Sequence, residues 1–322
     1  MPADYRERYY RRILDATAVG QRLDRALADC LPDFSRERLK RWLADGALTV
    51  DGAAAPAKSK VQGGEVVELC VPDDPHATEV GPEAIPLDVV YADSSILVIN
   101  KPAGRVMHPG AGNASGTLQN ALIYYDQQLA CLPRSGIVHR LDKDTTGLCV
   151  VARTHAAHQE LVAALAERRV KREYEAVARG TPVAGGRVDA PIGRHKTNRQ
   201  RMAVTDRGRP AVTHYRCQAR FRRHTHLCCS LESGRTHQIR VHLAHIGLPL
   251  VGDPTYGRGA QPTAGYGVDT AGLLREFPRQ ALHARWLAFN HPVSGQMLSF
   301  EAPRPTDLAE LINALTNDGG SQ

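Results

Sequence analysis

An α+β fold, a mainly antiparallel β-sheet domain preceded by a small α/β domain, is what this sequence predicts. Three observations carry that prediction. The chain has 322 residues, enough for about two domains of roughly 150 residues. Two amphipathic helical patterns and two short strands fill residues 18–72 and then stop. Beyond residue 87, apolar strand-like runs follow one another with few helices between them, which is not the alternation of a parallel βαβ fold. With 42% hydrophobic and 23% charged residues, the chain can form a packed core.

Residues 1–17 read as a charged tail. In GQRLDRALADCL, Leu23, Ala26, Leu27 and Cys30 recur at helical spacing. Ser35 offers an N-cap to SRERLKRWLADG, whose apolar stripe is Leu39, Trp42 and Leu43. Arg36, Arg38, Lys40 and Arg41 crowd that helix, so like charges meet at i,i+3 and i,i+4. Such a face is either simply solvated or a track for a polyanion. LTVDG, with a turn at Asp51-Gly52, and GGEVVELCV supply two strands. Residues 73–86, rich in Pro and acidic groups, read as a linker.

The second domain, 87–310, opens with two strands flanking Asp93-Ser94-Ser95. SGIVHR, GLCVVART, REYEAVARG, HYRCQARF, THLCCSLES, RTHQIRVHL and ARWLAFNHP read as further strands. Helices are expected near LQNALIYYDQ and THAAHQELVAALAERRV, the latter with Leu161, Val162 and Leu165 on its apolar side. Residues 259–272 read as a variable loop, and 311–322 as a tail that frays after a short helix.

Several function classes fall away. No GxxxxGK[ST], HExxH or GxSxG occurs, and GAGNASG does not fit GxGxxG. The seven Cys show no CxxC and no zinc spacing, so neither a metal nor a cofactor is expected. No apolar run reaches membrane-spanning length. The N-terminus has no signal-peptide core, so a cytoplasmic location with reduced thiols is expected.

Three segments could carry chemistry. GIVHRLDKDTTGLCVVART packs His139, Arg140, Asp142, Lys143 and Asp144 between apolar runs. Arg140 and Lys143 beside Asp142 favour an ionised carboxylate, ready as nucleophile or base. A surface turn with exposed ion pairs is the plainer alternative, and Asp144 suits organising the turn. In VKREYEAVARG, alternation sets Tyr174 on one face with Ala176 and Ala178. In RTHQIRVHL a period of two sets Arg240 beside Gln238 and His242, a strand-held donor suited to a carboxylate or phosphate.

HRLDKDTTGL, KREYEAVARG, GRTHQIRVHLAHIGLPLVGDPTYG and QALHARWLAFNHPVSG, in that order, resemble consecutive motifs of the RluA family of RNA pseudouridine synthases. Residues 18–72 resemble the S4 RNA-binding module. The resemblance implies a cofactor-free isomerisation of uridine to pseudouridine. It implies Asp142 as the catalytic carboxylate, Arg240 as its partner, Tyr174 as the active-site tyrosine, and Arg140 as the residue that displaces the target base. The implied substrate is large-subunit ribosomal RNA or the pre-ribosomal large subunit, with transfer RNA as the alternative. A non-catalytic RNA-binding assembly factor and a hydrolase using Asp142 with Asp144 are the competing classes. A monomer is the default expectation.

The net charge of +7 is unevenly spread. Residues 187–223 hold eleven Lys and Arg against two Asp. Arg199, Arg201 and Arg209 are therefore candidate RNA contacts, alongside Arg36, Arg38, Lys40 and Arg41.

Overall fold

A computed structural model of the protein describes residues 9–32, 34–71, 80–110, 112–198, 201–257, 259 and 261–319. The chain divides into two units, Met1–Gly81 with Gln128–Ser135, and Pro82–Gln127 with Gly136–Gln322. Most of the linker expected over 73–86 lies outside the described residues.

In the smaller unit, helices α1 (Leu23–Cys30) and α2 (Arg36–Ala44) accompany strands β1 (Tyr9–Ile13), β2 (Leu48–Val50) and β3 (Val66–Cys70). The strands form an antiparallel sheet in the order β1-β3-β2. Ser35 caps α2 by accepting the Arg38 N–H at 3.3 Å. Leu27, Leu39, Leu48 and Leu69 are fully buried, each worth about 1.5–3 kcal/mol of apolar transfer. Phe34 meets Trp42 edge-on at 5.0 Å. Strand β1 corrects the reading of residues 1–17 as tail. Tyr9–Ile13 pairs along the whole of β3, and Leu14 just after it is buried, so backbone pairing overrides the charge of the segment.

The larger unit contains β4 (Val89–Ala92), β5 (Ile96–Lys101), α3 (Leu118–Tyr125), β6 (Thr146–Ala152), α4 (His155–Ala166) and β7 (Lys171–Arg179). Next come β8 (Gly186–Asp189), β9 (Ile192–Arg194), β10 (Met202–Val204), β11 (Val212–Arg220), β12 (His224–Leu231) and α5 (Gln238–His245). The chain ends with α6 (Val268–Glu276), β13 (Leu282–Asn290), β14 (Met297–Glu301) and α7 (Thr306–Gly319). Nine strands form one sheet, ordered β4-β5-β6-β13-β7-β12-β11-β8, with β14 also on β13. Among the described residues only the β6–β13 pairing is parallel, in keeping with the mainly antiparallel sheet of the predicted α+β class. There the strands approach so closely that a Cβ on Gly147 would lie 2.2 Å from the Ala284 carbonyl oxygen. Strands β9 and β10 form a separate two-stranded ribbon.

The core explains the helices. Ile96, Val98, Leu148 and Val150 pack with Ala157, Leu161 and Ala164 of α4. Val177 and Val251 pack with Leu274 of α6 and with Leu308, Leu311, Ile312 and Leu315 of α7. That last set falls at i, i+3, i+4, i+7, so α7 is a docked amphipathic helix through residues read as tail. Likewise α6 begins inside the 259–272 segment read as loop, because Thr270, Ala271 and Leu274 are buried. On α4, Val162 turns to solvent while Leu161 is fully buried. Residues 136–140 are not a strand: Ile137 makes one bridge to Val151, and the His139 ring accepts the Val150 N–H at 3.1 Å, where a partner strand's carbonyl would sit.

Alternation along β7 decides what each side of the sheet holds. Arg172 and Tyr174 share one face. Glu175 points the other way, where Arg304 grips both its oxygens at 2.8 and 2.7 Å. Arg285 and His226 each lie 3.6 Å from that carboxylate.

Candidate active site

The loop 139–146 between the Ile137 bridge and β6 is held in large part by side chains that reach it from outside. Lys101, fully buried, donates to the carbonyls of Lys143 (2.9 Å), Pro102 (2.8 Å) and Arg105 (3.0 Å). Burial pulls the Lys101 ammonium down to about 8, with Cys149, Asp144 and Asp142 opposing the shift. Gln280 donates to the Thr145 hydroxyl at 3.0 Å, and Arg279 to the Asp144 carbonyl at 3.2 Å. Arg279 is itself clamped by Asp307 at 2.7 and 2.8 Å. The turn at Asp144 is therefore fixed through its backbone. Its carboxylate, expected to organise the turn, makes no hydrogen bond among the described residues.

This frame presents Asp142 to Arg240. The Arg240 guanidinium donates to Asp142 Oδ2 at 3.0 Å and grips Asp253 with two further bonds of 2.7 and 2.9 Å. Arg240 sits on a helix, α5, not on a strand as its alternation predicts. Every residue from Gln238 to Leu243 is buried, so the apolar pattern has no exposed side to set a period. Asp253 also accepts the backbone N–H groups of Thr255 and Tyr256 at 2.8 and 2.9 Å. Burial raises the Asp253 pKa, but the Arg240 bonds and charge outweigh it and hold the group below its usual range. Arg240 is raised in turn, the carboxylates outweighing its burial.

Asp142 Oδ1 stays available. His237 Nε2 lies 3.9 Å from it, and burial lowers the His237 pKa, leaving that ring neutral near pH 7. Its Nδ1 is 2.9 Å from the Tyr256 hydroxyl, which accepts the Met202 N–H at 2.9 Å. The tyrosine proton thus turns to Nδ1, and the remaining ring N–H faces Asp142. His237 caps α5 in the left-handed region at φ 57°, a strained position for a residue with a Cβ, costing about 1–3 kcal/mol.

Tyr174 lines the same cleft, 5% exposed, and its hydroxyl has no hydrogen bond among the described residues. Burial raises its pKa, with Arg172 opposing. Arg140 lies exposed at the cleft, without an ion pair among the described residues. Asp142, Tyr174, Arg240 and Arg140, four positions spread over a hundred residues of sequence, therefore meet in one cleft.

The basic residues fare differently. Arg199 lies outside the described residues. Arg201 packs its guanidinium 5.2 Å over the Tyr256 ring, and Arg209 is exposed beside the β9–β10 ribbon. Arg220, Arg222 and Arg223, in the same basic stretch, are turned onto backbone carbonyls instead. On α2, the expected like-charge conflict is relieved. Arg36 pairs with buried Asp24 at 2.8 Å, Lys40 with Glu37 at 3.0 Å, and Arg38 stacks on Trp42 at 4.7 Å. Arg41 has no ion pair among the described residues.

Asp253, His237, Tyr256, Lys101 and Arg172 escape a residue-by-residue reading of the sequence. Asp253 and Tyr256 stand in LVGDPTYG, where Gly-Asp-Pro reads as a turn and hides a buried carboxylate. Lys101 stands at the end of an apolar strand, which is its one local signal.

Residues 95–245 match the family model described as RNA pseudouridylate synthase. Ribosomal large subunit pseudouridine synthase D of Yersinia pestis is 54% identical over 301 residues, covering 93% of this chain and 92% of that protein. The enzyme of that name from Escherichia coli K12 is 52% identical over 301 residues, with the same coverage. Among solved structures, human RNA pseudouridylate synthase domain containing 1 superposes with a TM-score of 0.53 at 27% identity, covering 74% of this chain and 89% of its own. Human RNA pseudouridylate synthase domain containing 4 shares the fold at a TM-score of 0.55, covering 70% of this chain and 92% of its own. Identity above half along almost the full chain, with the family model lying over the Asp142 loop and α5, leads to one conclusion: the protein belongs to the RNA pseudouridylate synthase family, the isomerases that turn uridine into pseudouridine within RNA.

Proposed function

We propose that the protein isomerises uridines of large-subunit ribosomal RNA, with Asp142 as the carboxylate that acts on the nucleotide. The observation that carries this reading is the asymmetry of Asp142 in the cleft: Oδ2 is held by Arg240 while Oδ1 has no hydrogen bond among the described residues. A carboxylate with one oxygen anchored and one open suits a nucleophile or a base. The C1′–N1 bond of the uridine breaks, the base turns, and C1′ rejoins at C5. Tyr174, buried and with a hydroxyl that makes no hydrogen bond among the described residues, supports a role packing against the base. Arg140, exposed and unpaired among the described residues, suits filling the stack that the base leaves. The names of the relatives support the ribosomal substrate. The smaller unit, with Arg38 and Arg41 on α2, suits an RNA-gripping module. An rRNA substrate implies work in the compartment where ribosomes assemble.

The test is pseudouridine mapping by carbodiimide-primed reverse transcription across all RNAs of cells lacking the gene and complemented with wild type or Asp142→Ala. Loss of large-subunit rRNA sites, restored only by wild type, is expected. Restoration by Asp142→Ala would remove Asp142 from the chemistry, and sites lost only in transfer RNA would overturn the substrate.

A further inference from the structure

Two arginines with opposite circumstances line the cleft. Arg240 is fully engaged, with three hydrogen bonds to two carboxylates. Arg172 is not. Its side chain is 7% exposed, it makes no ion pair or hydrogen bond among the described residues, and its Nε is buried without a partner. Its guanidinium lies against Gly234, where a Cβ would meet Nη1 at 2.8 Å. A buried charge without a counter-charge costs several kcal/mol. A ligand that supplied the missing counter-charge would recover that cost.

The position of Arg172 indicates what that is. It is two residues before Tyr174 on the same face of β7, and it lines the cleft with Asp142. A phosphate of a bound RNA would meet exposed side chains first, and Arg172 is not one of them. A guanidinium sunk beside Tyr174 meets the base instead. When C1′–N1 breaks, the bonding pair stays with the base, whatever Asp142 does to the ribose. The detached uracil carries one negative charge, spread over N1, O2 and O4, until C5 bonds to C1′ and its proton is passed to N1. We propose that Arg172 is a catalytic residue of this reaction, holding a carbonyl oxygen of the extruded uracil and neutralising the charge that develops on it. This rests on the reading of the Asp142 cleft as the site of pseudouridylation. Electrostatic donors aimed at developing charge act more strongly in the transition state than in the bound ground state.

Arg172→Met, Arg172→Lys and Gly234→Ala, each as the full chain, test it on a large-subunit rRNA transcript that the wild type converts. Three quantities are measured: the single-turnover rate at saturating enzyme, the RNA Kd and the melting temperature. Arg172→Met is expected to slow the saturated rate by about 100-fold or more, the scale of one lost charge-stabilising donor. Its Kd should stay within about twofold, and its melting temperature should equal or exceed the wild type, because an unpaired buried charge is gone. Arg172→Lys should recover part of the rate. Gly234→Ala, which pushes the guanidinium aside, should slow the rate with unchanged Kd. A saturated rate within about threefold of wild type overturns the proposal. So does a weakened Kd with an intact saturated rate, which would assign Arg172 to a backbone phosphate. A melting temperature that falls with the rate would make Arg172 structural and overturn it as well. Failure of the wild type itself to convert any transcript would defeat the underlying function, not Arg172 alone.

Discussion

Two bonded ion clusters flank β7, and they hold acid and base in opposite proportion. On one side, two carboxylates, Asp142 and Asp253, share the single guanidinium of Arg240. On the other, the single carboxylate of Glu175 is gripped by Arg304 and flanked by Arg285 and His226. Burial raises the Glu175 pKa, but Arg304 and His226 outweigh it and hold the group far below the usual carboxylate range. Around Arg240 the acids outnumber the guanidinium they share, and Asp142 Oδ1 is left without a hydrogen bond among the described residues. Around Glu175 base is in excess, and both oxygens are bonded. The same kind of buried ion pair therefore either leaves a carboxylate oxygen unbonded or fastens both, depending on which partner is short.

The largest effect should come from removing the cation that is short. Arg240→Met leaves Asp142 and Asp253 without the guanidinium they share and is expected to cost about 3–5 kcal/mol in urea unfolding, with loss of pseudouridine formation. Adding Asp142→Asn should restore part of that stability and none of the activity. If the double variant is no more stable than Arg240→Met alone, the acid excess is not what strains the site.

Across the sheet, Arg304→Ala removes two charge-assisted bonds but leaves Arg285 and His226 beside Glu175. A loss of about 1.5–3 kcal/mol with the saturated rate unchanged is expected. A fall in rate larger than the stability change accounts for would show that the Glu175 cluster serves the cleft through Tyr174.

Acid separates these clusters from the buried histidines. Burial lowers His139 to about 3 and His224 to about 4. A histidine depressed in the fold stabilises it fully above its unfolded pKa of about 6.5, and that contribution is lost as pH falls toward the folded value. The Glu175 and Asp253 contributions, from carboxylates depressed in the fold, persist until pH falls below about 4. Urea midpoints should therefore drop between pH 7 and pH 5, while the cost of Arg304→Ala stays the same at both. A cost that shrinks by pH 5 would mean that the Glu175 cluster is already titrating.

The smallest effect on the fold should follow from neutralising Arg199, Arg201 and Arg209 together. Stability should hold, while RNA affinity falls and its salt dependence flattens by roughly 0.7–0.9 for each phosphate that is no longer neutralised. An unchanged salt slope would turn this stretch away from the RNA.

The sheet, and Asp142, Tyr174, Arg140 and Arg240 as positions that meet in one cleft, are legible in the sequence because each lies in a dense local motif. What sequence does not convey is pairing. Nothing near Arg240 announces Asp253, thirteen residues on behind a Gly-Asp-Pro turn, as its second carboxylate. The helix α5 reads as a strand because residues buried on every side carry no periodicity, whereas α7 is readable from its four Leu and Ile positions. Arg172 is hidden for a related reason. Lack of a partner is a property of the folded surroundings, and a Lys-Arg pair at the start of a strand looks like an ordinary charged edge.

The three carbonyls around Lys101 also make it a reporter. Acylating reagents attack neutral amines that can reach solvent. Lys101, pulled down to about 8, would be readily modified if it were reachable, yet it is fully buried. It can be labelled only when the packing around it opens, of which the Lys143 carbonyl beside Asp142 is one part. Mass-spectrometric labelling of Lys101 against exposed Lys143, two residues beyond Leu141, would thus clock how often that packing opens. Bound RNA that clamps the loop should slow Lys101 labelling further.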